Sequence, residues 1–265
     1  MTMVPSAFVR PPQPLIIALQ APVPTLAERL RDTFRTHRDY FLDMVKLDQT
    51  APAAALSLAE WSDDASFQTL SDRYGDSLYA DYPDRPRELK PLHSLWSQWY
   101  FGLIVPPLMM ALLVEEDAIC CDPAHFRVEF HASGRPARFW VQVETDSDAR
   151  SLGDGERLER LILRHLLPVT QAIAARAALN ARLIWNNTGY LMHWFLQELT
   201  PQIGEARRAR LEHRLFFSRT LSDGQENPLY RTLLPREGQL KRRTCCQRDR
   251  LPGVQRCSDC TQCDR

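Results

Sequence analysis

A chain of 265 residues with 33 acidic and 33 basic side chains has no formal net charge. That excludes the one-signed field a general nucleic-acid binder needs, so no nucleic-acid partner is expected. With 44% hydrophobic and 25% charged residues, the composition is that of an ordinary soluble globular protein with ample core.

Prolines at positions 5, 11, 12, 14, 22 and 24 mark residues 1–24 as an extended lead-in. This stretch has neither the charged start nor the apolar run of an export signal, so the cytoplasm is the expected compartment. Thr25 and Glu28 have the spacing of a capping box, opening a helix with apolar positions at Leu26, Leu30, Phe34, Phe41 and Val45. Ser57 and Glu60 form a second box ahead of Trp61, and a third helical pattern spans Ser66 to Tyr79. Pro83 and Pro86 punctuate a turn, and the next helix, from Leu92, should break or kink at Pro106-Pro107. The apolar run from Phe101 to Val114 is 14 residues, too short to span a bilayer. No transmembrane segment is expected, while peripheral attachment to the cytoplasmic face of the inner membrane stays open.

From Phe126 to Phe130 and from Ala137 to Val143 the pattern alternates with period two around turn residues Ala132–Pro136, which predicts a hairpin. Helices return over Glu156–Ala178, with an apolar stripe that survives Pro168, then over Arg182–Leu199 and Glu205–Leu221. After a linker at Ser222–Pro228, Leu229–Leu234 and Gln239–Arg243 should pair as a short ribbon. The fold class is therefore α+β, predominantly helical, with a hairpin near 126–143. The division expected is a lead-in (1–24), a substrate-binding body (25–227) and a cysteine-rich C-terminal segment (228–265).

Five of the seven cysteines fall between Thr244 and Cys263. Reduced thiols crowded in this way point to metal, and thiolates select zinc, copper(I) or iron–sulfur clusters. Cys257-x-x-Cys260 grips a metal from one tight turn. Cys245 and Cys246 are adjacent and diverge on an extended chain, so both can serve one centre only if the backbone bends there. Spacing leaves zinc and iron–sulfur both open; a [2Fe–2S] cluster needs two thiolates per iron, which this stretch supplies with one cysteine to spare. From Arg231 onward there are nine Lys or Arg against four acids, a surround that stabilises an anionic centre or docks an acidic electron donor.

The pattern Cys245-Cys246-x10-Cys257-x2-Cys260 resembles the C-terminal signature of the FhuF family of siderophore–iron reductases. The likeness extends to Leu95–Tyr100, Val105–Met109, Ala124–Phe126 with Phe130-His131, Leu183–Tyr190, and Arg242–Thr244. The resemblance implies that Cys245, Cys246, Cys257 and Cys260 hold a [2Fe–2S] cluster. It further implies one-electron reduction of siderophore-bound Fe(III), of hydroxamate type, with Fe(II) released in the cytoplasm. Cys263 departs from the family pattern and could exchange with Cys260. A zinc-stabilised binding module and an iron–sulfur redox sensor without turnover are the alternatives.

Cys120-Cys121 has no C-x-x-C partner nearby and reads as buried thiols. Asn186, Asn187, Thr188 and Gly189 are poor helix residues inside an apolar stretch. They either cap a helix N-terminus or, with Trp185 and Tyr190, form the wall of a substrate pocket. Trp96, Trp99, Tyr100 and His193 could extend that wall, although aromatics at helical spacing are commonly core. The histidines form no ligand triad. No dinucleotide fingerprint is present, so electrons are expected from a protein or flavin donor.

Overall fold

The computed structural model describes residues 23–257 apart from 237; residues 1–22 of the lead-in, Cys260 and Cys263 lie outside them. Thr25 caps α1 (Leu26–His37): its hydroxyl accepts the Glu28 N–H at 3.2 Å, and the Glu28 carboxylate accepts the Thr25 N–H at 2.8 Å. The helix stops at His37 rather than running to Val45. After the short α2 (Phe41–Met44), Val45 enters β1 (Val45–Leu47), which pairs in parallel with a later strand. Val45 and Leu47 both face the core, so a period of two overrides the helical one here. The second capping box opens α3 (Leu58–Trp61). Next, α4 (Asp64–Tyr79) starts earlier than expected because the Asp63 carboxylate accepts the Ala65 and Ser66 N–H groups.

The axis of the molecule is α5 (Leu89–Val114), 26 residues long. It does not break at Pro106-Pro107. Both rings are buried, and α4, two later helices (Asp154–Leu161 and Ala181–Glu198) and the central sheet strand pack around the helix, offsetting the amide bonds that proline cannot make. This continuity also corrects the expectation drawn from a 14-residue apolar run: the helix is long and apolar enough to cross a membrane, yet 78% of its most apolar window is buried in the protein. Arg157 gathers the carbonyls just past its C-terminus, donating to Glu115 at 2.9 Å and Glu116 at 2.6 Å.

The hairpin forms as β2 (Phe126–Phe130) and β3 (Pro136–Val141), with β3 central in the order β1-β3-β2 and a bulge at Glu129/Phe130. Phe139 of β3 meets Tyr100 of α5 edge-on at 5.0 Å between ring centroids. Beyond it, α6 (Asp154–Leu161) and α7 (Leu167–Arg176) form one continuous rod through a π turn, Ile162–Leu166. There Leu167 N–H reaches back to Ile162, and the extra residue accommodates Pro168. Then come α8 (Ala181–Glu198), α9 (Thr200–Ile203) and α10 (Glu205–Phe217). The ribbon pairs β4 (Leu233–Arg236) with β5 (Gln239–Arg242). Its first strand is Leu233–Arg236 rather than Leu229–Leu234, because Gly238 at φ +76° lets the turn close tightly and draws Pro235 and Arg236 into the ladder. Helices dominate and the sheets are small, as α+β requires.

Two buried histidines tie these helices together. His93 of α5 has Nε2 2.7 Å from Ser71 Oγ and accepts the Ala178 N–H on Nδ1 at 2.9 Å, while His165 in the π turn lies 4.6 Å from the Phe126 ring. Burial lowers both from 6.5 to about 4. Between those values the unfolded chain binds more protons than the folded one. Stability is therefore full above pH 6.5 and falls as pH drops toward 4, by on the order of 3 kcal/mol for each histidine. Urea unfolding followed down this range should show a falling midpoint; a flat one would mean that neither histidine is neutral in the fold.

Candidate functional site

The ribbon β4–β5 lies on α8, and just ahead of it Thr232 comes close to Gly189. A Cβ at this position would sit 2.4 Å from Thr232 Oγ1, so the backbone approach requires glycine in mid-helix despite its low propensity. The polar run 186–189 does not cap a helix N-terminus. That role belongs to Asn180, whose side chain accepts the Leu183 N–H at 3.0 Å, and the run is buried within the helix. Asn186 bonds locally, donating to Arg182 O at 2.8 Å. Asn187 reaches outward on both sides: its Nδ2 donates to Ser94 Oγ of α5 at 3.1 Å, and its Oδ1 accepts from Arg242 Nη1 at 3.4 Å.

Arg242, the last residue of β5, is only 3% exposed. Its guanidinium stacks 4.6 Å from the Tyr190 ring centroid and donates to Cys257 Sγ at 2.8 Å. Burial disfavours its charge, but Cys246 and Cys257 more than restore it and raise its pKa. Cys246 is lowered to about 5, first by a hydrogen bond from Cys257 and, against burial, by the Arg242 charge and the Arg248 N–H. Past Arg242 the chain bends through Arg243 and Thr244 and turns again at Gln247, a non-glycine at φ +61°. The Gln247 N–H donates to Cys245 Sγ at 3.2 Å. Cys245 and Cys246 are both buried, and the chain bends on either side of them. A 3-10 turn, Arg248–Arg250, packs on α5 and is anchored there by Arg85, which donates to Arg250 O at 2.6 Å, and by an Arg250–Glu88 ion pair.

Among the described residues no three His, Cys, Asp or Glu side chains gather for a single metal ion. What the fold assembles is a thiol pair, Cys246 with Cys257, and Cys245, the chain neighbour of Cys246, is buried as well. A cluster that takes two thiolates per iron fits such a pair. Two buried atoms point the same way. Arg242 Nε and Thr244 Oγ1 have no partner among the described residues, and both can donate to the sulfur of an anionic cluster.

Cys257 and Arg242 also form part of the wall of an open pocket of about 190 Å³, with Asn187, Tyr190, Trp194 and Phe101. Asn187, Tyr190 and Trp194 are spaced 187, 190 and 194 and so share one stripe of α8. Trp185 belongs to the hydrophobic core and does not line the pocket. Trp96 and Tyr100 are core as well, and Trp99 donates to Tyr74 Oη at 3.0 Å. Cys121 is buried with its thiol pushed up by desolvation, which leaves it inert. Sequence reasoning passed over Arg242 as a buried group and Trp194 as a lining residue. Their signals are parity with Leu240 on a strand and helical spacing from Tyr190.

Residues 94–240 match the family model described as a ferric iron reductase FhuF-like transporter, and residues 242–262 match the FhuF 2Fe-2S C-terminal domain. A ferric siderophore reductase from Escherichia coli (strain K12) is 49% identical over 243 residues, covering 92% of this chain and 93% of the relative. The C-terminal segment is thus a [2Fe–2S] domain. Replacing Arg242 by Gln removes a buried positive charge beside the thiol pair and should shift the midpoint potential of the bound cluster to more negative values. A redox titration followed by EPR measures this; an unchanged potential would leave Arg242 a purely structural role.

Proposed function

This chain belongs to the FhuF family of ferric iron reductases, and from that premise we propose that it reduces a ferric siderophore of hydroxamate type. The observation that carries the reading is the shared wall: Cys257 and Arg242 face both the thiol group and the open pocket. Cys245, Cys246, Cys257 and Cys260 would hold the cluster, which makes residues 228–265 the electron-transfer segment and 25–227 the body that presents the substrate. Bound there, the [2Fe–2S] cluster supplies the single electron that converts siderophore-held Fe(III) to Fe(II).

The remaining work falls to the chain's own side chains. Phe101 and Tyr190 offer aromatic faces and Asn187 a neutral amide to a ferric hydroxamate complex, while Arg248, also on the wall, donates to the Gln255 carbonyl at 2.8 Å. Arg242 is held by Asn187 and Cys257, so its charge is directed to the thiols. No side chain forms a bond to the substrate, and electron transfer is outer-sphere. Hydroxamate oxygens are hard donors that prefer Fe(III), so reduction loosens the complex and frees Fe(II), in this reading into the cytoplasm. Arg231, Arg236 and Arg243 are exposed and have no ion pair among the described residues, basic groups suited to an acidic protein that delivers the electron.

Anaerobic visible and EPR spectra before and after dithionite, with iron and sulfide counted, test this reading. The expected result is a coloured protein with a pair of irons per chain, whose reduced signal is lost on adding a ferric hydroxamate. Stoichiometric zinc and no reducible signal would sink it and favour a zinc-stabilised binding module. A reducible cluster that ferric hydroxamate leaves reduced would favour a redox sensor. In the same assay Cys260→Ser should abolish the cluster spectrum and Cys263→Ser should keep it; the reverse would show that Cys263 is the ligand.

A further inference from the structure

We propose that Trp194 divides the substrate site into two compartments and is its specificity-determining residue, an inference that rests on the hydroxamate reading above. The pocket beside Cys257 would take the ferric tris(hydroxamate) core. A second, polar pocket adjoins it and shares Tyr190 and Trp194 as walls. Its other lining includes His193, Gln197, Arg208, Glu212 and Gln239. On α8 the positions 187, 190 and 194 serve the first compartment, and 190, 193, 194 and 197 serve the second, so one helical stripe runs through both with Tyr190 and the exposed Trp194 common to them.

Two observations give the second compartment its chemistry. Its charges are largely spent on each other: Arg208 donates to Glu212 at 2.8 Å and to Glu205 at 2.5 Å, and His193 Nδ1 lies 3.0 Å from Glu212 Oε1. The carboxamides of Gln197 and Gln239 have no side-chain partner among the described residues. Neutral donors and acceptors of this kind match the amides of a peptide-like siderophore scaffold rather than an anion. Trp194 itself is 41% exposed, and its indole N–H has no partner among the described residues. A large aromatic left in solvent on the ridge between two pockets gains burial when a substrate spans them, as binding hot spots do. A core without a scaffold occupies only the first compartment and gains little from it.

The test is a binding measurement on the cluster-loaded protein with redox-inert gallium(III) in place of iron, so that no turnover enters. One probe is the gallium complex of a cyclic-peptide trihydroxamate; the other is gallium tris(acetohydroxamate), with the same coordination and no scaffold. Trp194→Ala should weaken the scaffolded complex roughly tenfold and the scaffold-free one less than about twofold. Trp194→Phe should restore most of the difference, and the visible and EPR spectra of the cluster should stay unchanged in both variants. Equal losses for the two probes, or no loss for either, would overturn this inference alone. A wild-type protein that binds neither probe would overturn the hydroxamate reading and this inference with it.

Discussion

The structure depends on a buried positive charge. Taking a guanidinium out of water costs several kcal/mol unless it is paired and hydrogen-bonded, and Arg242 is withdrawn almost completely. Its partners come from three directions: the Asn187 amide and Tyr190 ring on α8, and the thiol pair Cys246 and Cys257 at the end of the chain. Each side supports the other. Thiolates held this close repel one another without the cation, and the cation is uncompensated without them. The ribbon therefore docks on α8 through the same side chain that sets the electrostatics of the cysteines.

A long helix makes that docking rigid. Ser94 of α5 holds Asn187, Phe101 of α5 lines the pocket, and the 3-10 turn after the adjacent cysteines rests on the same helix. Packing on all sides keeps α5 continuous through two prolines, and Arg157 from α6 secures its far end. The thiols, the pocket and the scaffold thus share one reference body. In the outer-sphere reaction proposed above, where no bond to the substrate forms, such a shared body fixes the distance that governs transfer.

Much of this architecture is legible in the order of residues. The capping boxes at Thr25 and Ser57 and the hairpin after Phe126 obey local rules that read directly from residue spacing, and so does the cysteine pattern. The misreadings share one cause. Val45 alternates with Leu47 in a strand only because β3 offers a free edge, and Pro106-Pro107 stays helical only because its surroundings are packed. Gly189 and Asn187 look like helix breakers until Thr232 and Arg242 are placed against them.

By itself, then, the sequence determined the cysteine pattern at the C-terminus and the mixed, mainly helical class. Each of these is a property of residue types or of near neighbours in the chain. Only the tertiary structure decided which polar residues face the thiols, that Trp185 turns into the core, and that one arginine joins pocket and cysteines. Such facts depend on contacts between residues far apart in the chain: 55 positions from Asn187 to Arg242, and 93 from Ser94 to Asn187. No local periodicity encodes them.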